Sequence, residues 1–110
     1  MSGPRNADQA GRLAVQVLKR SLPGHSDTVH RECQRAAGIA AVIWRRWHVG
    51  PWQWKCKHVR WFLEHGMSQY QGWTRYRYWL TVEQLLQAIE RLEDWRPRLN
   101  GPWRSPQERR

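Results

Sequence analysis

A long apolar stripe at helical spacing between residues 28 and 47 constrains this 110-residue chain more than any other feature. Its members recur every three or four positions, as on one face of an α-helix. They are Val29, Cys33, Ala36, Ala37, Ala40, Ile43, Trp44 and Trp47. Small residues fill the middle of the stripe, so a second helix can approach closely there. Asp27 or Thr28 is the predicted N-cap, and Gly50-Pro51 ends the helix because proline has no amide donor.

Two further segments carry a helical pattern on either side of this one. Residues 7–20 form a predicted first helix. Its stripe consists of Ala10, Leu13, Ala14, Val17 and Leu18. Residues 52–65 form a predicted third helix, and Gly66 follows as its expected C-cap because glycine tolerates the left-handed conformation found there.

The fourth segment, residues 73–94, is ambiguous at its start. Between residues 73 and 80, arginines alternate with tyrosines, a pattern that is typical of a strand. Thr81 also opens the spacing of a capping box, which can start a separate helix. No other segment alternates convincingly, and one unpaired strand is not stable. We therefore predict one long helix over 73–94, with a kink allowed near Thr81.

These segments predict a small all-α fold, a four-helix bundle packed as two antiparallel pairs. Composition divides the chain into a basic N-terminal arm with a weak helix (1–25), a helical domain (26–95) and a Pro- and Arg-rich tail (96–110). The tail is expected to be loop or disordered, with Trp103 docking back onto the body. No signal peptide is recognisable, and no apolar run reaches the roughly 20 residues that span a bilayer. We expect a cytoplasmic protein with reduced thiols that contacts no membrane.

The charge of the chain is strongly basic and unevenly spread. The formal net charge is +10, and arginines outnumber lysines sixteen to three. Arginine makes bidentate contacts to phosphate and guanine, which favours a nucleic-acid partner, although a GC-rich genome also enriches arginine. Residues 28–79 hold nine cations against two acids, a net +7, whereas residues 80–95 hold one cation against four acids, a net −3. The acidic end of the fourth helix is therefore expected to point away from DNA.

The candidate nucleic-acid contacts are seven basic residues and one threonine on three predicted helices. They are Arg31, Arg35, Lys55, Lys57, Arg60, Thr74, Arg75 and Arg77. The last three open the fourth helix, where free amides and a partial positive charge favour phosphate. Each cation can also be a solvated surface charge, and the scatter of Lys55, Lys57 and Arg60 around the third helix favours that interpretation for those three. For Trp73 and Tyr76, base stacking competes with ordinary packing, and we expect packing; Trp44, Trp61 and Phe62 are expected in the core.

A metal site and a catalytic site are both disfavoured. His30, Cys33, Cys56 and His58 include enough ligands for zinc, but the side chains of Cys56 and His58 diverge on a helix. Each cysteine is more simply a small buried residue. No P-loop, nucleophile elbow or carboxylate pair is present. We expect no metal, no cofactor and no enzyme activity.

A series of motifs between residues 26 and 95 carries a family resemblance. In order they are Thr28-Val29, Ile43-Trp44, Val49-Gly50-Pro51-Trp52, the run from His58 to Phe62-Leu63, Gly66-Met67-Ser68, Thr74 with Tyr78, and Leu85, Leu86 and Ile89. By these residues the chain resembles the N-terminal core-binding, SAM-like domain of tyrosine recombinases, the phage-type integrases. The resemblance implies a bundle of crossed helical hairpins that clamps duplex DNA, with its second and fourth helices toward the major groove. It implies DNA contacts by Arg31 and Arg35 on one helix and by Thr74, Arg75 and Arg77 on the other.

The chain also departs from that family. It contains no counterpart of the catalytic domain and no His-x-x-Arg element, and the hinge from Met67 to Gly72 is longer than usual. The resemblance therefore implies a non-catalytic DNA-binding module of a mobile genetic element, located in the bacterial cytoplasm, with a separate recombinase subunit as a further partner. A solitary module, an integrase remnant and an accessory protein all fit this description.

Two other functions stay open. Arginine beside aromatic residues suits structured or single-stranded RNA as well as DNA, so an RNA-binding protein is one alternative. The other is a protein-interaction factor of a mobile element, because nine tryptophans can exceed what a domain of this size buries.

Overall fold

A computed structural model describes residues 3–22 and 26–105. Over these ranges the chain is helical without any strand, which confirms the predicted all-α class. The α-helices are α1 (Ala7–Lys19), α2 (Asp27–Trp47), α3 (Cys56–Trp61), α4 (Gly72–Ala88) and α5 (Leu92–Trp95). A π-helical turn, Phe62–Gly66, continues α3, and turns of 3-10 helix occupy Pro51–Gln53, Arg96–Arg98 and Pro102–Arg104.

The long helix α2 has nearly the bounds that its apolar stripe predicts. Its N-cap is Ser26, one residue before the predicted Asp27 and two before Thr28, and the Ser26 hydroxyl accepts a hydrogen bond from the Val29 amide at 3.2 Å. Such a bond satisfies one of the free amides at a helix start. The helix ends at His48, which adopts the left-handed conformation with φ 58°.

The core forms where α1, α2 and α4 pack together. Its fully buried side chains include Ala10, Ala14 and Leu18 of α1, Ala36, Ile39, Ala40 and Ile43 of α2, and Val82, Leu85 and Leu86 of α4. At Gly11 of α1, an added Cβ would lie 3.2 Å from the carbonyl oxygen of Ala37. The small-residue stripe of α2 therefore does receive a closely packed helix. The helix of the expected N-terminal arm is α1. Its apolar stripe is buried against the rest of the domain, so this helix is part of the core.

The third helical segment is more irregular than a single helix over 52–65. A 3-10 turn and an extended stretch precede α3, and its last turn widens into the π-helical turn. There the Met67 amide donates to the Phe62 carbonyl at 3.1 Å. Gly66, the expected C-cap, is the last residue of this turn, and Met67 takes the C-cap position. Glycine is required at Gly66 because a Cβ would lie 2.7 Å from a ring carbon of Phe62.

The segment with the ambiguous start forms a continuous α-helix, so residues 73–80 are helical as predicted. The helix ends at Ala88 rather than continuing to residue 94. Glu90 adopts the left-handed conformation with φ 63°, and the Arg91 amide donates to the Leu86 carbonyl at 2.8 Å. This geometry is a Schellman-type C-cap, with glutamate where glycine is usual.

The chain after α5 folds back onto the body. Residues 96–105, expected to be loop or disordered, contain two 3-10 turns and bury Leu99 and Trp103. The Trp103 indole nitrogen donates to the Leu99 carbonyl at 2.9 Å, and the Arg104 guanidinium lies 5.3 Å from the ring centroid of Trp79 in α4. The predicted docking of Trp103 is thus confirmed.

Parts of the predicted arm and tail, residues 1–2, 23–25 and 106–110, lie outside the described residues. Among the helices of the described ranges, none combines the length and apolar character that crossing a bilayer requires.

Candidate nucleic-acid interface

A closed polar network joins α2 to α4 and involves one of the predicted contacts, Arg35. The Arg35 Nε donates to the Thr81 hydroxyl at 3.2 Å, and its Nη2 donates to Glu32 Oε2 at 3.1 Å. The Thr81 hydroxyl in turn donates to Glu32 Oε1 at 2.6 Å, and Thr81 is fully buried. Charge-assisted bonds of this kind are about twice as strong as neutral ones. Arg35 therefore holds two helices together, whereas Arg31 on the same helix is exposed.

The predicted contact Arg60 already binds neighbouring groups of the protein at the surface. Its Nε pairs with Glu64 at 3.0 Å, and its Nη1 donates to the Arg98 carbonyl at 3.3 Å. An exposed ion pair of this kind contributes at most about 1 kcal/mol, so a phosphate can compete for the guanidinium.

The first two turns of α4 carry three of the predicted contacts, Thr74, Arg75 and Arg77. Thr74 and Arg77 are exposed, and Arg75 is half-buried with an Nε that has no hydrogen-bond partner among the described residues. No side chain caps the helix, and its first turn contains no acidic residue. Trp73 stands in the same turn with 63 % of its surface exposed. Packing of Trp73 into the core or hinge, which the sequence favoured, does not occur.

The hinge before α4 is held against the helix by two stacked tyrosines. The rings of Tyr70 and Tyr78 are parallel within 9° with centroids 4.8 Å apart, and the Tyr78 hydroxyl donates to the Tyr70 hydroxyl at 3.5 Å. Burial, followed by the interaction with Tyr70, raises the pKa of Tyr78 to about 12. The contact ties the hinge to α4 one to two turns after its start.

A second basic and aromatic group lies where α2 ends and α3 begins. We call Arg46, Trp47, Lys57 and Trp61 the cation–tryptophan cluster. The Arg46 guanidinium lies 4.5 Å from the Trp47 ring centroid and 5.9 Å from that of Trp61, and the Lys57 ammonium lies 5.4 Å from Trp47. The two indole rings meet edge to face at 6.4 Å. Lys57 was a predicted contact, but the sequence did not single out Arg46, and Trp61 is half-buried rather than fully in the core.

His58 fixes the start of α3 beneath this cluster. The Lys55 amide donates to His58 Nδ1 at 2.9 Å, so the imidazole acts as a cap. The side chain is buried, and its ring centroid lies 4.9 Å from that of Trp47. Burial, followed by the charges of Lys57 and Lys55, lowers the pKa of His58. A neutral imidazole keeps the Nδ1 acceptor available, and this bond sets the position of Lys55 and Lys57.

The four possible zinc ligands, His30, Cys33, Cys56 and His58, do not form a cluster in the structure. Among the described residues, no three His, Cys, Asp or Glu side chains form a group that fits a metal ion. Cys33 is buried in α2 and Cys56 is half-buried at the start of α3, both as free thiols. Burial raises the pKa of Cys56, with Arg98 and Arg60 partly opposing.

No family model, curated protein or solved structure significantly matches this chain. Function is therefore inferred from its own residues and their geometry.

Proposed function

We propose that this protein is a non-catalytic module that binds duplex DNA with the first two turns of α4. One observation carries the proposal: the first six residues of α4 contain no carboxylate and include the exposed Trp73 and Arg77, which are four positions apart and share a helix face. The uncapped helix start adds free amides and a partial positive charge, which favour a phosphate group. Phosphate contacts of this kind supply most of the general affinity of DNA-binding proteins and fix their orientation on the duplex.

The distribution of ion pairs supports this choice of surface. Within the part of the chain that the structure describes, Arg31, Arg75 and Arg77 form no ion pair. In the second half of α4, Glu83 pairs with Arg96 at 3.3 Å. The cations near the helix start therefore do not have to break an internal pair before they bind phosphate.

We further propose that the module is of the recombinase core-binding type, a bundle of crossed hairpins from a mobile genetic element. The order of the elements supports this: a long α2, a short α3 that leads into Phe62-Leu63, and an α4 that begins near Thr74. In that arrangement α2 and α4 face the major groove and present Arg31 beside Arg75 and Arg77. A separate recombinase subunit would supply the catalysis.

The test is a fluorescence-anisotropy titration of labelled duplex DNA at several salt concentrations. The parent should show steep salt dependence, and the Arg75→Gln/Arg77→Gln variant should lower the log–log slope by about 0.9 for each phosphate that it no longer binds. The matched control is Arg5→Gln/Arg12→Gln, which removes the same charge from two exposed residues at the start of the chain. The control should keep the parental slope.

Two results would contradict the proposal at different levels. A folded parent that fails to bind duplex DNA at low salt would exclude the function. A parent that binds, with an Arg75/Arg77 variant that binds equally well, would exclude the site.

RNA or another ligand with unpaired bases is the second candidate, and the exposed ring of Trp73 favours it. Stacking of a base on an aromatic side chain contributes about 1–3 kcal/mol and does not require a particular sequence. Competition between duplex DNA and structured RNA separates the two candidates. The protein-interaction alternative has less support, since the large apolar side chains exposed in the described ranges are Trp52 and Trp73.

A further inference from the structure

We propose that the cation–tryptophan cluster is a second phosphodiester-binding site, with Arg46 and Lys57 as its contacts to the nucleic-acid backbone. The inference rests on the proposed function, because it takes nucleic acid as the ligand. It adds Arg46, Trp47 and Trp61 to the binding surface and places that surface at the junction of α2 and α3 as well as at the start of α4.

The guanidinium of Arg46 already makes cation–π contacts before any ligand binds. It lies over the Trp47 ring and close to that of Trp61. A guanidinium in a cation–π contact of this kind keeps N–H donors that can bind two phosphate oxygens. A free arginine side chain loses about 1.5–2 kcal/mol of rotamer entropy when it is fixed. The contact with Trp47 already restricts the rotamers of Arg46, so less entropy remains to be lost when phosphate binds.

Lys57 places a second positive charge on the same indole. Within the described residues neither Arg46 nor Lys57 forms an ion pair with a carboxylate. Both side chains are exposed, whereas the Trp47 and Trp61 rings beneath them are half-buried. Two cations held near one ring without a neutralising acid leave a positive potential, and a bound anion relieves it.

The buried His58 lies against the Trp47 ring, with ring centroids 4.9 Å apart. After burial, the charges of Lys57 and Lys55 are the next causes that lower its pKa. Its cap on the Lys55 amide fixes the start of α3, and so the cations of α3 stay in register with the end of α2. Two cations over an apolar ring suit a sugar–phosphate chain, which presents a charged and an apolar surface side by side.

The experiment compares the Arg46→Gln/Lys57→Gln variant with the matched control Arg45→Gln/Lys19→Gln. The control removes one arginine and one lysine, both exposed, and neither lies over a tryptophan in the described residues. Duplex DNA binding is measured over a range of salt concentrations. We expect the Arg46/Lys57 variant to lower the log–log salt slope by about 1.8, the value for two phosphates that are no longer bound, and the control to retain the parental slope. The charge-conserving variant Arg46→Lys/Lys57→Arg should recover most of that slope.

A second readout follows the indole N–H resonance of Trp47, assigned with the Trp47→Phe variant. This group is shielded from solvent and has no hydrogen-bond partner in the described residues, so its resonance responds to the ring environment. Titration with duplex DNA should shift the resonance. Inorganic phosphate at the same ionic strength should leave it unchanged, and an equal shift with phosphate alone would overturn the assignment to a nucleic-acid backbone.

The outcomes separate this inference from the proposed function. If the parent binds no nucleic acid at low salt, the proposed function fails. If the parent binds and loses affinity with Arg75→Gln/Arg77→Gln but keeps its slope with Arg46→Gln/Lys57→Gln, the function stands and the second site is refuted.

Discussion

The two basic, aromatic regions of this protein are built from the same residue types but organised in opposite ways. At the junction of α2 and α3, Arg46 and Lys57 lie over the half-buried ring of Trp47. At the start of α4, the Trp73 ring is 63 % exposed, and it meets Tyr76 edge to face at 6.1 Å. The first region is a packed layer with its cations on top, and the second is an open turn.

The difference shows that an aromatic ring can either pack in the fold, as Trp47 does, or stay accessible to a ligand, as Trp73 does. A half-buried ring stabilises the fold and positions cations, so its removal should damage both stability and binding. An exposed ring contributes little to the fold, so its removal should affect binding alone. Substitutions in the two regions test this contrast, from the largest expected effect on stability to the smallest.

Trp47→Ala should cause the largest loss of stability. Full burial of a Trp side chain makes its truncation cost about 3–5 kcal/mol, and for this half-buried ring we expect about 2–3 kcal/mol. The variant should also lower the log–log salt slope of DNA binding, because Arg46 and Lys57 lose their support while the contacts at the start of α4 remain. Urea unfolding gives the free energy, with Trp52→Ala as the control at an exposed ring. Equal losses in the two variants would remove the basis of the contrast.

His58 should give the packed region a pH dependence. Its pKa in the folded protein is lowered from the ordinary value of about 6.5, so the unfolded chain takes up the proton first as pH falls. The free energy of unfolding should therefore be greatest above about pH 6.5 and decrease as pH falls toward the folded pKa. Urea unfolding at neutral and mildly acidic pH measures this change.

The matched variant for that experiment is His58→Asn, whose amide oxygen can accept the Lys55 hydrogen bond in place of Nδ1. It should unfold with a smaller pH dependence than the parent. Loss of the cap altogether, in His58→Ala, should cost about 0.5–2 kcal/mol at neutral pH. A parent and an Asn variant with the same pH dependence would show that the burial of His58 is not coupled to its protonation.

Trp73→Ala should have the smallest effect on the fold. A substitution at an exposed surface position usually changes stability by less than about 0.5 kcal/mol. Binding of unpaired bases should weaken by the stacking contribution of about 1–3 kcal/mol, and Trp73→Phe should retain part of it. The measurement is parallel urea unfolding and anisotropy with single-stranded and duplex DNA. A large loss of stability would mean that the open turn is part of the core.

The long-period features of the fold were predictable from sequence. The stripe of α2 predicts a helix whose bounds differ by a residue at its start, because many apolar positions support the same period. The end of α4 was not predictable, since Ile89 and Leu92 continue its stripe while Glu90 reverses the backbone without glycine. A single residue in the left-handed conformation ends the helix although the apolar pattern continues, and no residue type in the sequence indicates it.

The candidate sites show a similar limit. In the sequence, Arg35 and Arg77 are both arginines beside apolar residues, yet Arg35 binds Thr81, 46 residues away. Pairing over that distance depends on how α2 and α4 pack and is not contained in a local pattern. For Arg46, the nearest ring belongs to its sequence neighbour Trp47, and the packing of α3 adds Trp61 at 5.9 Å, a contact that the local pattern does not contain.

The burial of Leu99 and Trp103 decides where this chain can be shortened. Composition places a boundary near residue 95, but a protein cut there would lose two core side chains and uncover the part of α4 around Trp79. Such a fragment should aggregate or fold poorly, since truncating large buried side chains is among the costliest changes a small domain can undergo. Any junction to a fused partner or label therefore belongs after Trp103, although the helices alone would suggest an earlier one.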